Sequence, residues 1–161
     1  VPLYYGLLKH ITDRTQAAVD RVASLAQTGY AAMTDAEKTE WSAGLKGAYN
    51  ATDLNRVGSA VNYVAGRLNA QGYAVAVSPK IDWMVTDIPT PAQLTAYLAD
   101  VAAIRAALAV YGTTPETPAD MEKLTYAEAN DIERILLDVD ALITNMMAVW
   151  YYAGELYSGE V

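Results

Sequence analysis

From Ile132 to Ala153 the chain repeats apolar residues at alternating steps of three and four: Ile132, Ile135, Val139, Leu142, Met146, Val149 and Ala153. Leu136, Ile143, Met147 and Trp150 widen the same stripe. Such spacing marks an amphipathic helix, and a stripe this wide has to be covered by two or more neighbouring helices, not by one partner along a narrow seam. Thr125 and Glu128 fit a capping box at its start. The expectation is a last helix from there to about Tyr152, roughly 40 Å long. The rest of the chain has to supply the faces that hide it.

A second complete helix is written between Leu45 and Tyr73. Thr52 is placed to cap its start and Gly72 to take the left-handed turn that stops it. Leu54, Val57, Val61, Val64 and Leu68 form its apolar seam. Thr15 caps a helix running to about Thr28, ended by Gly29, with Val19, Val22 and Ala26 on one side. Thr34 and Glu37 form a capping box for a short helix that carries Trp41 and closes at Gly44 and Gly47. Thr90 and Pro91 supply a cap and a first-turn proline for a helix whose apolar face is Leu94, Leu98, Val101, Ile104 and Leu108. Pro115 and Pro118 mark Tyr111–Asp120 as a connector.

Two stretches read otherwise. Tyr73–Ser78 (YAVAVS) alternates and is rich in Val, so it is the strand candidate. The tail GELYSGEV looks too short for a helix and could pair with it. The loop IDWMVTDIP follows, its Trp83, Val85 and Ile88 expected to tuck over the core edge. Residues 1–12 read as an apolar, strand-like arm, docked on the body or on a partner, and residues 13–161 as a single helical-bundle domain. The expected fold is therefore all-α: a compact bundle of about five helices with a minor β element at Tyr73–Ser78.

At 161 residues such a chain buries roughly 70% of its unfolded surface and needs no staples. It has no Cys, which excludes disulfides and thiolate metal sites. Its net charge of −8, with only 11 scattered Lys and Arg, disfavours nucleic acid and anionic membrane as partners. The arm from Val1 to Ile11 is too short to cross a bilayer and lacks a basic leader. The chain begins without Met, as an excised domain or a processed product would.

Four runs carry a family resemblance: DRTQAAVDRV (Asp13–Val22), LKGAYNATDLNRVGSAVNY (Leu45–Tyr63), LTYAEANDIERILLDVDALI (Leu124–Ile143) and GELYSGEV (Gly154–Val161). They resemble a family of small proteins encoded in phages and prophages of Gram-positive bacteria, typically among tail and other virion-structure genes. The similarity runs from about His10 to Val161. It implies a virion component, assembled in the bacterial cytoplasm, or a module attached to one. It assigns no catalytic residue and no cofactor.

The residues themselves offer little chemistry. A di-metal carboxylate bundle needs Glu-x-x-His on two helices, and the single histidine, His10, precedes any helix; it reads as a satisfied polar residue. The serines lie outside a G-x-S-x-G elbow, and Gly44–Gly47 lacks the full phosphate-loop pattern. Asn50-Ala51-Thr52 reads as capping, not as a glycosylation acceptor. Asp82 and Asp87 flank Trp83, the one arrangement compatible with a glycosidase. Asp131, Arg134 and Asp138 read as an exposed charge ladder. Asn55, Arg56, Asn62 and Arg67 read as a solvated helix face.

No catalytic, metal or cofactor-binding residue is therefore assigned. The leading expectation is a non-enzymatic phage structural or tail-associated module acting through protein–protein contacts with other virion proteins or with itself. Its candidate contact surface is Tyr4, Tyr5, Leu7, Leu8, Trp83, Tyr151, Tyr152 and Tyr157. The alternatives are a host-surface carbohydrate-binding module, which would stack cell-wall glycan on Trp41, Trp83 and the Tyr151–Tyr157 region, and a cell-wall hydrolase using Asp82 or Asp87.

Overall fold

The structure is a computed structural model that describes the backbone of residues 9–158 and the side chains of residues 9–150. Five α-helices are packed together among the described residues: α1 (Gln16–Thr28), α2 (Asp35–Ala43), α3 (Ala51–Ala70), α4 (Pro91–Ala106) and α5 (Tyr126–Ser158), with a 3₁₀ turn at Tyr30–Ala32. The core is a three-helix unit of α3, α4 and α5, each in contact with the other two. Val57, Val61, Val64 and Leu68 of α3 meet Leu98, Val101 and Ile104 of α4. Ile132, Ile135, Leu136, Val139 and Ile143 of α5 are fully buried between them. The wide stripe of the last helix is thus covered by two partners, as its width demands.

Local chemistry starts each helix. Thr15 accepts from the Ala18 amide, while Thr34–Glu37, Thr90–Gln93 and Thr125–Glu128 form reciprocal boxes. The cap of α3 is Asn50 and not Thr52: the Asn50 carboxamide accepts from the Thr52 amide, and Asp53 accepts in return from the Asn50 amide. Gly72, at φ 91°, ends α3 with the paired 6→1 and 5→2 bonds of a Schellman turn, from Tyr73 to Leu68 and from Gly72 to Asn69. On α1 the buried residue is Leu25, which the sequence reading passed over in favour of Ala26, an exposed position.

No β-strand occurs among the described residues. Residues 73–78 do alternate between half-buried and exposed, as their pattern requires, but no second strand lies beside them. The expected partner, the tail, is instead helical as far as Ser158, so α5 is 33 residues, about 50 Å, long. Residues 159–161 lie outside the described chain. Val85 and Ile88 do not tuck in; they are 96% and 89% exposed, and only Trp83 of that loop reaches the core.

Two glycines are required by close approach. A Cβ on Gly47 would sit 2.1 Å from the carbonyl oxygen of Ala18, in the first turn of α1. A Cβ on Gly58 would sit 2.9 Å from the carbonyl of Lys80, where the segment after α3 crosses back over that helix. Gly47→Ala is expected to cost about 3 kcal/mol, because the obstacle is backbone and cannot rotate away; denaturant unfolding checks it. Val139→Asp places an unpaired charge in the packed seam and is expected to leave the chain unfolded by far-ultraviolet circular dichroism.

Candidate functional site

The buried charges decide which side chains remain for function. Glu133 of α5 lies on the apolar stripe and its side chain is fully buried. Its carboxylate accepts from Arg14 at 2.8 Å, from Arg56 at 2.7 and 3.0 Å, and from the Ile11 amide at 2.8 Å. Both guanidiniums also hold Asp53 of α3. Arg14 further donates to the carbonyls of Ile11 and Lys46 and lies 5.4 Å from the centre of the Tyr49 ring. The Tyr49 hydroxyl is hydrogen-bonded to that of Tyr97 on α4. Burial raises the pKa of both phenols, so both stay protonated. Burial alone would raise the pKa of Glu133 as well. The bonds from Arg56, Ile11 and Arg14 outweigh it and hold the carboxyl below its ordinary value. These groups are engaged with one another and form a structural knot.

His10 sits against this knot. Its side chain is fully buried, with Nδ1 3.2 Å from Glu133. Among the described residues neither ring nitrogen has a hydrogen-bond partner, contrary to the satisfied polar residue expected. Burial, reinforced by Arg56 and Arg14, overcomes the attraction of Glu133 and Asp140 and pushes its pKa down to about 4.

Three asparagines pin irregular chain to helices. Asn55 and Asn69 of α3 each bind both the amide and the carbonyl of one residue, Trp83 and Val75 respectively, at 2.7–2.9 Å. Asn130 of α5 does the same to Arg14 at 3.0 Å. A carboxamide carries the donor and acceptor that a neighbouring strand would offer, and at Val75 Asn69 stands in the place of a partner strand. Asn55 and Arg56 are therefore structural, not solvated. Arg67 likewise pairs with Asp140, and of the four only Asn62 is exposed.

Two surfaces stand out among the described residues. The first is a concavity of about 560 Å³ between the end of α2, the start of α3 and the loop after Trp83. Trp41, Leu45, Tyr49, Leu54, Trp83 and Met84 line it. The volume falls in the range of ligand clefts. Of its polar lining, Asn50 is engaged as a helix cap and Asp87 accepts from the Met84 amide. Its rim is apolar and exposed, with Met84 at 66% and Val85 at 96%. The second surface is the end of α5, where Met147, Val149 and Trp150 are 45%, 65% and 55% exposed.

The carboxylates near Trp83 share one cation. Lys80 lies 2.6 Å from Asp82 and 3.9 Å from Asp87. Its ammonium, hydrogen-bonded to Asp82, holds that carboxyl below the usual range, opposite to the raised pKa that a general acid needs. On α5, Asp131 and Asp138 are half-buried, and Asp138 accepts from the Thr114 hydroxyl instead of forming a ladder with Arg134. Among the described residues no cluster of His, Asp or Glu could hold a metal ion.

Of the contact residues read from the sequence, Trp83 is 8% exposed and belongs to the core cluster while lining the concavity. Tyr4, Tyr5, Leu7 and Leu8 lie outside the described residues. Tyr151, Tyr152 and Tyr157 fall on the helical backbone of α5, with side chains outside the description. The sequence reading missed Arg14, Asp53 and Glu133. The signal was present: Glu133 stands four residues after Ala129 and three before Leu136, both buried, and Asp53 stands four before Val57. No protein family, curated protein or solved structure matches this chain.

The knot fixes the pH response. His10 has a folded pKa of about 4 against 6.5 when unfolded, so its burial is tolerated fully above pH 6.5 and opposes folding increasingly as pH falls toward 4. Glu133, depressed in the fold, adds stability that is likewise lost as pH falls through its folded value. Stability is expected to drop between pH 6.5 and 4, by on the order of 3 kcal/mol from His10 alone. His10→Phe should flatten that slope in urea titrations at fixed pH.

Proposed function

We propose that this chain is a non-enzymatic module of a phage particle, structural or tail-associated, that works by binding other proteins through the loop after Trp83 and the concavity beside it. The observation that carries this reading is the exposure of Met84 and Val85 on the rim of the concavity, with Ile88 exposed in the same loop. Apolar side chains this exposed in one loop are a contact surface in waiting. The buried acids and bases of the knot support it from the other side, since they are engaged with one another, and Asp87, the carboxylate that lines the concavity, accepts from the Met84 amide. The placement in a particle rests on the phage-family resemblance of the four sequence runs.

A second reading has its own observation. Trp41 and Trp83, far apart in sequence, line the same concavity, as a carbohydrate-binding module of the host surface would need.

The test has two arms. Mass spectrometry of purified particles is expected to detect the polypeptide, and Val85→Asp with Ile88→Asp is expected to deplete it there. The same pair should leave the unfolding free energy within about 0.5 kcal/mol, since both positions are on the surface. Absence from particles sinks the first reading. Saturable quenching of tryptophan fluorescence by host-wall glycan, lost in Trp41→Ala, would favour the second.

A further inference from the structure

The concavity beside Trp83 has a sign. Among the described residues its lining holds one charged side chain, Asp87, and neither Lys nor Arg. Asp87 Oδ2 accepts from the Met84 amide and lies 3.9 Å from the Lys80 ammonium, whose nearer partner is Asp82 at 2.6 Å. Asp87 Oδ1 accepts from no described residue. Ser42, Ala43 and Gly44, at the C-terminal end of α2, line the same space. The last turn of that helix carries no basic residue, and the carbonyls of Ser42 and Ala43 accept no hydrogen bond among the described residues. The negative end of the helix therefore lies at the concavity without a cation of its own. The indoles of Trp41 and Trp83 complete the lining. An aromatic face attracts a cation, and the structure holds an instance: the Lys80 ammonium is 5.0 Å from the centre of the Trp83 ring. Asn55 grips the Trp83 backbone at both polar groups, so this part of the lining is in place before anything binds.

We propose that the concavity receives a lysine or arginine side chain of a partner protein, packed against the two indoles with its charge toward Asp87 and the end of α2. This rests on the protein-binding reading above and names the chemistry of its partner. The long-range field selects the same class. The whole chain carries −8, which draws a basic segment in, repels an acidic one or a second copy, and gives a neutral ligand nothing. The aliphatic stem of a long basic side chain suits the apolar walls, while its head meets the acceptors. The exposed Met84 and Val85 on the rim are left to cover apolar neighbours of the basic residue.

The probe is an acetylated, amidated peptide, Gly-Leu-Arg-Leu-Gly, titrated into the full chain at low ionic strength and followed by tryptophan fluorescence. Saturable quenching is expected, weaker by about tenfold when neutral citrulline replaces the arginine. Asp87→Asn keeps an acceptor for the Met84 amide, so it should melt like the wild type, yet bind the arginine peptide about tenfold more weakly. Trp41→Ala should lose about fivefold. Glu122→Gln, exposed and outside the concavity, removes the same unit of charge and should leave binding unchanged. No saturable quenching by the arginine peptide, equal binding of the citrulline peptide, or equal losses in Asp87→Asn and Glu122→Gln would each overturn the proposal. So would host-wall glycan that quenches at lower concentration than the peptide. Particle content is read separately. A chain depleted from particles by Val85→Asp with Ile88→Asp, but without preference for arginine, keeps its protein-binding role and loses the basic partner. A chain absent from particles that still prefers arginine loses only its place in the particle.

Discussion

An ionised carboxylate inside a hydrophobic stripe is the constraint on which the rest of this structure depends. Glu133 cannot be buried unless its charge is met, and withdrawing it from water costs several kcal/mol. Two guanidiniums and an amide meet it, and Asp53 balances the second positive charge. Those partners come from the segment before α1 and from α3, so neutralising one side chain of α5 brings three parts of the chain to a single point. Arg14 extends the knot through Tyr49 to Tyr97 and so to α4. Apolar seams tolerate small slides of one helix along another. A forked hydrogen bond between guanidinium and carboxylate does not, and it sets the register of α3 against α5.

The second device is the carboxamide clamp. Asn55, Asn69 and Asn130 each close on both polar groups of one backbone residue. A protein with one Val-rich extended segment and no partner strand has to satisfy that backbone some other way. Here the helices do it from their side chains, which is how an alternating sequence ends up as a strap on a bundle and not as a sheet.

Much of the helical architecture was legible in the residues, because caps and apolar spacing are local. Thr15, Thr34–Glu37, Thr90 and Thr125–Glu128 each start a helix where expected. The seams of Val57–Leu68 and Ile132–Val139 are buried as their period requires. What failed was non-local. YAVAVS has the alternation of a strand, but alternation reports only that one side is covered, not by what. Arg56 and Asn55 look like ordinary polar surface until Glu133 and Trp83 are brought against them from distant sequence. The exposed loop misled for the opposite reason: Val85 and Ile88 are apolar, and nothing local says that the core is already full.

The strap also works as a ruler. Its two clamps on α3 stand 14 positions apart, about 21 Å along the helix axis. The residues they grip, Val75 and Trp83, are eight positions apart and span about 27 Å when fully drawn out. The slack of about 6 Å is less than two residues of drawn-out chain, and Gly58, about one turn from Asn55, lets the strap lie close there. A two-residue deletion there would pull one grip open, and an insertion would lift the strap off the glycine. Relatives of this protein should therefore vary freely in length in the connector between α4 and α5, while the crossing from Val75 to Trp83 keeps its residue count.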